Sequence, residues 1–513
     1  MRFALILTAL LTASAVQPAI AKSVSHALPP GIAWEQGDVT AAFARAKATQ
    51  KPLFLYWGAV WCPPCNQVKA TIFKQQAFIE RTRQFIPVYL DGDSPGAQKL
   101  ASQYKVRGYP TMILFKPDGS EITRLPGEVD LERYLQTLEL GLSNARPVRQ
   151  LLASANQGEA LSHSEWQLLA DYAWETDRAQ LVPEDRLPGT LANLVARMPA
   201  NLGPVALRLK LKALAVSTSA GSITPEQAAQ GRSLLHSLFA TTGQTRRNFD
   251  VLVNYTSSMG KVLTAAAPAE RETLLKAWHA ALRTLADDTT VSTTDRLAAA
   301  VAGLSLARIS APEAPLPTAL VADIRQRVSQ ADQTTTDGYE RQSVISLGAD
   351  ALTEAGLDQE SDRLLLAELK RSHSPYYFML GLAANAKARG DKAAALNWME
   401  QAYQRAEGPA TRLQWGVSYI SGLIELSPQD AKRIDKATLQ VLKELEASKH
   451  VFYERNQRAL EKLLSKLTAW NKDKAHQASL RQVHSQLDKL CRPIAKTDPQ
   501  KPVCEGLVKQ ARG

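Results

Sequence analysis

Cysteine is scarce in this sequence, with four residues in a chain of 513. Four cysteines are too few for a disulfide-stapled scaffold, so the hydrophobic core must hold the fold and each cysteine needs its own explanation. Hydrophobic residues make up 45% and charged residues 22%, which excludes a collagen-like or disordered chain. The length predicts about two to four domains.

Most catalytic signatures are also missing. The sequence holds no HExxH motif, no GxSxG motif and no phosphate-binding glycine loop, and its eight histidines do not cluster. After the N-terminal segment, no uncharged apolar run reaches the roughly 18 residues of a membrane-spanning helix, so the rest of the chain is expected to be soluble. These absences leave no cofactor and no metal site to predict.

The N-terminus has the pattern of a secretory leader. Arg2 precedes an apolar run over 3–16, and Ala19-Ile20-Ala21 is an A-x-A cleavage site. We predict a cleaved signal peptide over 1–21, with an uncleaved N-terminal anchor as the alternative. No cysteine follows the cleavage site, so a lipoprotein is not expected. The predicted compartment is the periplasm, where disulfides can form.

Residues 30–142 mix helix-like and strand-like runs. Large apolar residues crowd into short segments, as in buried strands, and turn signals separate these segments. The alternation predicts an α/β domain. The predicted helices are 39–49, 65–84 and 131–142, and the predicted strands are 52–57, 85–90, 111–115 and 121–125.

From about residue 150 the strand pattern fades. Ala, Leu, Gln and Arg then recur at helical spacing, which predicts a large all-α part. We predict helical regions over 150–310 and 318–513, with breaks at 187–189, 217–222 and 310–317.

One spacing recurs in the second helical region. Three residue pairs lie 34 positions apart: Gly356/Gly390, Pro375/Pro409 and Ala349/Ala383. This is the period of the tetratricopeptide repeat, so we predict TPR-like helix pairs around 345–410 that leave a concave face for a protein partner. Only two copies show the period, so chance spacing in an ordinary helical array remains the alternative.

The motif Trp61-Cys62-Pro63-Pro64-Cys65 follows a predicted strand and opens a predicted helix. A CxxC pair in that setting is typical of a redox pair, because the N-terminus of a helix stabilises the Cys62 thiolate. Cys65, one turn on, is placed to close a disulfide, while Pro63 and Pro64 help to start the helix and stiffen the loop. Zinc would need four ligands, which the nearby sequence does not supply, and copper(I) on two thiolates remains the metal alternative.

Three landmarks stand in order along residues 30–142: Lys51-Pro52-Leu53-Phe54-Leu55, the WCPPC motif and Arg107-Gly108-Tyr109-Pro110-Thr111. With these landmarks the segment resembles the thioredoxin superfamily, and within it the secreted thioredoxin-like domains of the DsbD thiol:disulfide interchange family. The resemblance implies a thioredoxin fold and dithiol/disulfide exchange, with Cys62 as nucleophile and Cys65 as resolving cysteine. It also implies that Pro110 is a cis-proline, and that Trp61, Tyr109 and Pro110 contact the substrate.

Two positions depart from the family pattern. Tyr56 stands where the family commonly buries an aspartate that accepts the proton of the second cysteine, and Lys69 stands where DsbD domains have a glutamate. A cation one turn beyond Cys65 favours thiolate, and a stabilised reduced form makes a stronger oxidant. We therefore predict a pair more oxidising than that of thioredoxin. The alternative is that Tyr56 only packs the core and Lys69 only faces solvent.

The other two cysteines, Cys491 and Cys504, lie near the C-terminus. Pro493, Pro499 and Pro502 fall between them, which predicts a turn rather than a helix. We expect a structural disulfide that clamps the last helix. The alternative is a second redox pair that exchanges with the WCPPC cysteines, although no redox motif surrounds this pair.

The basic charge is concentrated at the C-terminus. Residues 449–513 hold 14 Lys and Arg against 6 Asp and Glu, which is +8 of the chain's net +11. For an exported protein, nucleic acid is not an expected partner. An anionic membrane surface, the cell wall or an acidic protein fits better, unless these charges only solvate helix faces.

The sequence thus predicts an exported thiol-disulfide oxidoreductase that acts on protein thiols and disulfides through the WCPPC motif. A redox partner that the sequence does not identify would recycle it, and the helical repeats would bind a protein partner. The alternative is a helical scaffold or chaperone-like binding protein that uses the thioredoxin-like domain mainly for docking.

Overall fold

The computed structural model contains an α/β domain followed by a large helical region, as the sequence predicts. The predicted signal peptide, 1–21, lies outside the described residues. None of the described helices is both long enough and apolar enough to cross a membrane. The described residues are 28–127, 130–143, 145–177, 180–265 and 268–512.

The α/β domain is built on one mixed sheet. Its strands are β1 (Glu35–Gln36), β2 (Leu53–Gly58), β3 (Ile86–Asp91), β4 (Thr111–Phe115) and β5 (Glu121–Leu125). They lie in the order β1-β3-β2-β4-β5, with β3 parallel to β1 and β2, and β4 antiparallel to β2 and β5. Every residue of β2 is buried, because helices cover both faces of the sheet. Because β2 is the central strand, the chain that leaves it emerges in the middle of the sheet, at the carboxyl end of that strand.

The helices of this domain include the two predicted over 39–49 and 131–142, and one over 97–103 that lies outside the predicted bounds. They are α1 (Val39–Thr49), α2 (Pro63–Thr71), α3 (Gln76–Arg81), α4 (Ala97–Gln103) and α5 (Leu131–Leu142). The single helix predicted over 65–84 is wrong, because it is split into α2, α3 and a 3₁₀ turn at Thr82–Gln84. Phe73 and Phe78 are both fully buried and stack at 4.9 Å. They are five residues apart, so one continuous helix would turn them to different faces.

The helical region contains long helices joined by short turns. Its first part comprises α6 (Val148–Gln157), α7 (His163–Asp171), α8 (Trp174–Asp177), α9 (Leu187–Arg197), α10 (Pro204–Ser219), α11 (Pro225–Phe239), α12 (Thr242–Arg247), α13 (Phe249–Asn254), α14 (Thr256–Ala265), α15 (Pro268–Asp287) and α16 (Thr293–Ser310). Its second part comprises α17 (Thr318–Thr334), α18 (Gly338–Glu354), α19 (Asp358–Glu368), α20 (Pro375–Ala388), α21 (Lys392–Arg405), α22 (Pro409–Leu426), α23 (Ala431–Glu444), α24 (Glu454–Trp470), α25 (Gln477–Cys491) and α26 (Gln500–Gln510). Further 3₁₀ turns are Glu184–Arg186, Ala200–Leu202 and Leu445–Ala447.

Two of the three predicted helix breaks are confirmed. The break at 217–222 separates α10 from α11, and the break at 310–317 separates α16 from α17. The break at 187–189 is wrong, because these residues form the first turn of α9. Proline in a first turn costs no intrahelical hydrogen bond, so Pro188 starts the helix rather than stopping one. The division of the helical part into two domains stays a prediction.

The spacing of 34 residues reappears in the helix boundaries. Gly356 and Gly390 follow α18 and α20 with φ of 78° and 79°, a left-handed conformation that favours glycine. Pro375 and Pro409 occupy the first position of α20 and α22. The repeat is therefore present in the turns and helix starts, while its assignment as TPR-like stays a prediction.

The C-terminal turn is shorter than predicted. α25 ends at Cys491 and α26 already begins at Gln500, so the turn covers only 492–499. The prediction of a turn up to Cys504 is wrong because Pro502 lies in the first turn of α26, where the backbone N–H has no intrahelical partner to lose.

The helical region packs back onto the α/β domain. Helix α2 lies against α18, and α4 lies against α24. Helix α2 also contacts α16, where Gln67 Nε2 donates a hydrogen bond to Asp295 Oδ1 at 2.8 Å. Helices from the second half of the chain therefore cover the end of the sheet at which the WCPPC motif follows β2.

Candidate active site

The WCPPC motif forms the start of α2. Cys62 is the N-cap residue, and its Sγ accepts a hydrogen bond from the backbone N–H of Cys65 at 3.2 Å. Pro63 and Pro64 occupy the first helical positions, as predicted. Cys62 and Cys65 are disulfide-bonded, with Cα atoms 5.3 Å apart, and both are buried. A reduced Cys62 would sit against the unpaired N–H groups of the helix N-terminus, which stabilise a thiolate.

Tyr56 lies behind the cysteine pair. It is fully buried on β2, and its hydroxyl donates a hydrogen bond to the carbonyl oxygen of Cys65 at 3.2 Å. Burial raises the pKa of Tyr56 well above its ordinary value. The residue therefore stays protonated and acts as a hydrogen-bond donor, where the family commonly has a carboxylate that accepts a proton.

Lys69 is also buried, at 1% exposure, so the alternative that it faces solvent is wrong. Its Nζ lies 5.3 Å from the ring centroids of Tyr89 and of Tyr339, the second of which belongs to α18. Burial lowers the pKa of Lys69 to about 8, and the nearby charge of Asp91 opposes this shift. At neutral pH the amine is still mainly protonated, so it places a desolvated cation on the same helical face as Cys65.

The segment before β4 lies beside the motif. Its Tyr109–Pro110 peptide bond is cis, as the resemblance implies. The Tyr109 hydroxyl accepts a hydrogen bond from Gln98 Nε2 at 3.1 Å, and its ring lies edge-on to Trp61 at 6.5 Å. A Cβ at Gly92 would collide with the Tyr109 hydroxyl, so glycine is required there. The fold thus brings two predicted substrate-binding residues, Trp61 and Tyr109, onto one face.

Side chains of the helical region cover this face. The Trp61 ring stacks on Tyr377 at 5.8 Å, meets Trp415 edge-on at 5.0 Å and lies 4.7 Å below the Arg455 guanidinium. Its Nε1 donates a hydrogen bond to Thr411 Oγ1 at 2.9 Å. These partners follow Trp61 by more than 300 residues. Sequence reasoning missed them, because no local pattern distinguishes them from ordinary core or surface residues.

A small cavity remains between α2 and the helical region. It has a volume of about 240 Å³ and is lined by Pro63, Pro64, Gln67, Asp295 and Tyr377, among others. Most small-molecule sites measure roughly 300–1,000 Å³. This cavity beside the motif is therefore smaller than most small-molecule sites.

Cys491 and Cys504 form the second disulfide, with Cα atoms 5.8 Å apart. It ties the end of α25 to α26 in a buried apolar cluster that includes Leu487 and Leu507. Lys501 Nζ donates a further hydrogen bond to the carbonyl oxygen of Cys491 at 2.9 Å. This setting suits a structural clamp, which stays a prediction.

Replacing both clamp cysteines by alanine is expected to lower the free energy of unfolding by about 3 kcal/mol. The reason is that the disulfide spans 13 residues and restricts the unfolded chain. Denaturant unfolding of the double variant measures the loss. Thiol exchange by the WCPPC pair should not change, and a slower exchange would instead favour a second redox pair.

Comparison with known proteins places this site in context. A family model described as a thioredoxin-like domain matches residues 39–141. Over 103 residues the chain is 34% identical to the thiol:disulfide interchange protein DsbD of Pseudomonas fluorescens. The matched segment makes up 19% of this chain and 18% of that protein. Over 90 residues the chain is 34% identical to a thioredoxin-like protein of Synechocystis. This segment makes up 18% of this chain and 81% of that protein. A thioredoxin structure from Thermus thermophilus is 25% identical, covers 21% of this chain and 85% of its own, and gives a TM-score of 0.20.

The matched segment is the α/β domain and contains both motif cysteines and Pro110. The chain spans about a fifth of the length of the DsbD relatives that it matches, but most of the Synechocystis protein. Its α/β fold and its CxxC pair lie within the matched segment. Through residues 39–141, this chain belongs to the thioredoxin-like family.

Proposed function

We propose that this protein is an exported, periplasmic thiol-disulfide oxidoreductase that exchanges disulfides with protein substrates. The observation that carries the proposal is the Cys62–Cys65 pair at the N-terminus of α2, next to the cis bond before Pro110. The similarity to a thiol:disulfide interchange protein supports the same chemistry. The leader pattern over 1–21 supports export.

The exchange proceeds in two displacements. The Cys62 thiolate attacks a substrate disulfide, so that a Cys62–substrate disulfide forms and the first substrate sulfur leaves as a thiolate that takes up a proton. The Cys65 thiol then loses its proton and attacks Cys62 Sγ. This step re-forms the Cys62–Cys65 disulfide and releases the second substrate sulfur. The reverse sequence oxidises a substrate dithiol, so the same geometry serves either direction.

The surroundings of Cys65 favour its thiolate. Lys69 supplies a buried cation one helical turn away. Tyr56 donates a hydrogen bond to the Cys65 carbonyl oxygen instead of accepting a proton. Stabilising the reduced, ionised form raises the reduction potential. The pair is therefore more oxidising than that of thioredoxin.

Equilibration with glutathione at pH 7 tests this tuning. We expect the wild-type potential to lie above the value of about −270 mV typical of thioredoxin. Lys69→Met should lower it by about 30 mV, a tenfold change in the equilibrium constant, because the buried cation is lost. Lys47→Met, on an exposed position of α1, is the matched control. A wild-type potential equal to that of thioredoxin, or one that Lys69→Met leaves unchanged, would refute the tuning.

The helical region is proposed to bind a protein partner, and a separate redox partner is proposed to recycle the cysteine pair. The stacked helix pairs of α19–α22 and the basic residues over 449–513 support an acidic protein surface as the ligand. Protein thiols and disulfides are the substrate class that the family resemblance supports.

A second candidate function is a helical scaffold that holds the thioredoxin-like domain mainly as a docking module. The packing of Trp61 against Tyr377 and Trp415 favours it, because the redox face already has an intramolecular partner. The two candidates differ in turnover, since only an oxidoreductase forms covalent intermediates at Cys62.

A further inference from the structure

Several elements of the helical region hold the redox face shut. The side chains that do so, called here the lid residues, are Gln342 of α18, His373 before α20, Tyr377 of α20, Thr411 and Trp415 of α22, and Arg455 of α24. They come from separate helices of the second part of the region. Closure of the face is therefore a property of the packed helices as a whole.

The lid residues bind the backbone of the motif loop as well as the Trp61 ring. Gln342 Nε2 donates a hydrogen bond to the carbonyl oxygen of Trp61 at 3.2 Å. His373 Nε2 lies 3.1 Å from the carbonyl oxygen of Val60. The loop directly before Cys62 is thus held on its backbone and on its largest side chain.

A third contact lies beside the loop, at the end of β3. The Thr411 backbone N–H donates a hydrogen bond to Asp93 Oδ1 at 2.8 Å, and the Thr411 hydroxyl also bonds to the Asp93 carboxylate. Because Thr411 accepts the Trp61 indole N–H at the same time, one side chain joins two parts of the redox face.

The closed face leaves no approach for a polypeptide. Cys62 is only 2% exposed, whereas an attacking sulfur has to reach its Sγ directly. The Arg455 guanidinium lies 5.5 Å from the Tyr109 ring centroid, over the segment that would pair with an extended substrate. A protein disulfide therefore meets the lid residues before it meets the cysteine.

The closed arrangement also removes charged groups from water, and this desolvation weakens the contact between the lid residues and the redox face. The Arg455 Nη1 and Nη2 atoms are buried, and the interactions of this guanidinium with Tyr109 and Asp93 replace only part of its hydration. Burial raises the pKa of Asp93 to about 6, so at neutral pH a carboxylate is also held away from water. Opening returns both groups to water, which offsets part of the stacking and hydrogen bonding lost at Trp61. The contact is suited to reversible opening.

We propose that the helical region is a lid on the redox site and that its contacts with Trp61 hold it closed. Protein substrates reach Cys62 only after the lid residues release Trp61. The proposal rests on the proposed function for its biological role. Closure itself can be measured without any turnover.

Alkylation of Cys62 measures closure directly. In a Cys65→Ala background Cys62 is the free thiol, because Cys491 and Cys504 are paired. A polyethylene-glycol maleimide, which mimics a bulky substrate, is expected to label Cys62 far more slowly in the folded protein than in the unfolded chain. Adding Thr411→Val or Arg455→Met should speed this labelling about tenfold, because the rate follows the open fraction. The rate of labelling by iodoacetamide, a small reagent, should increase less in these variants.

Two variants in the same region serve as matched controls. Arg433→Met removes a guanidinium that lies 5.5 Å from the Tyr419 ring, and Thr438→Val removes a buried hydroxyl on α23. Neither contacts the redox face, so neither should change the labelling rate. Circular dichroism checks folding, and the partly exposed Arg455→Met suffices if Thr411→Val does not fold.

Equal labelling rates in the background protein and in the lid variants would overturn the lid. So would folded-state labelling by the polymer that is as fast as in the unfolded chain. Slow labelling together with no exchange against glutathione would support the lid and reject the proposed oxidoreductase activity. Fast labelling with normal exchange would do the reverse, so the two proposals fail separately.

Discussion

A Cys65→Ala variant is expected to accumulate covalent complexes with substrate proteins, joined through Cys62. Without the resolving thiol, the second displacement cannot occur, and the mixed disulfide persists until an outside thiol attacks it. Turnover should be abolished while the first displacement continues. Acid quenching, thiol blocking and non-reducing electrophoresis separate the complexes, and mass spectrometry identifies the partners.

The matched control for this trap is Cys62→Ala, which removes the nucleophile and keeps the rest of α2. It should trap nothing. The trap is also run with Arg455→Met added, because a closed lid could hide a reactive Cys62. Complexes that appear only with Arg455→Met support both the exchange chemistry and the lid. Their absence in both backgrounds favours the scaffold with a docked thioredoxin-like domain.

The local part of the fold could be predicted from the sequence. Helices α1 and α5 and strands β4 and β5 have the bounds that periodicity and turn residues indicate. Each of these helices starts after an aspartate whose side chain caps a backbone N–H, and a Pro-Asp-Gly turn separates the two strands. Such signals lie within a few residues of the element that they define, so one sequence suffices to find them.

The environment of the candidate site could not be predicted in the same way. Lys69 reads as a surface lysine, yet it is buried because Tyr339 of α18 closes over it. Trp61 reads as a substrate contact, yet its ring is packed by Tyr377 and Trp415. These contacts depend on how the helical region folds back on the α/β domain. Nothing in the spacing of a single sequence records that packing.

Helix α18 connects the stability of the helical region to the redox face. Its Arg341 and Glu368 of α19 are 4% and 2% exposed, and the guanidinium donates to Glu368 Oε2 at 2.6 Å. The same guanidinium donates to the carbonyl oxygens of Asp332 and Thr335, both at 2.8 Å. The next residue, Gln342, holds the Trp61 carbonyl. Loss of this buried pair should therefore loosen both the helix packing and the lid.

Arg341→Met is expected to lower the free energy of unfolding by about 3–5 kcal/mol, because it leaves the Glu368 carboxylate buried without its partner. Denaturant unfolding followed by tryptophan fluorescence measures the loss. Arg325→Met is the matched control, since its ion pair with Glu360 is partly exposed to water and is expected to contribute little to stability. Adding Glu368→Leu to Arg341→Met should recover much of the stability, because the buried carboxylate is then gone and the other partner of Arg341, Asp332, is partly exposed to water. Equal losses for Arg341→Met and Arg325→Met, or no recovery in the double variant, would show that the buried pair does not stabilise α18 in this way.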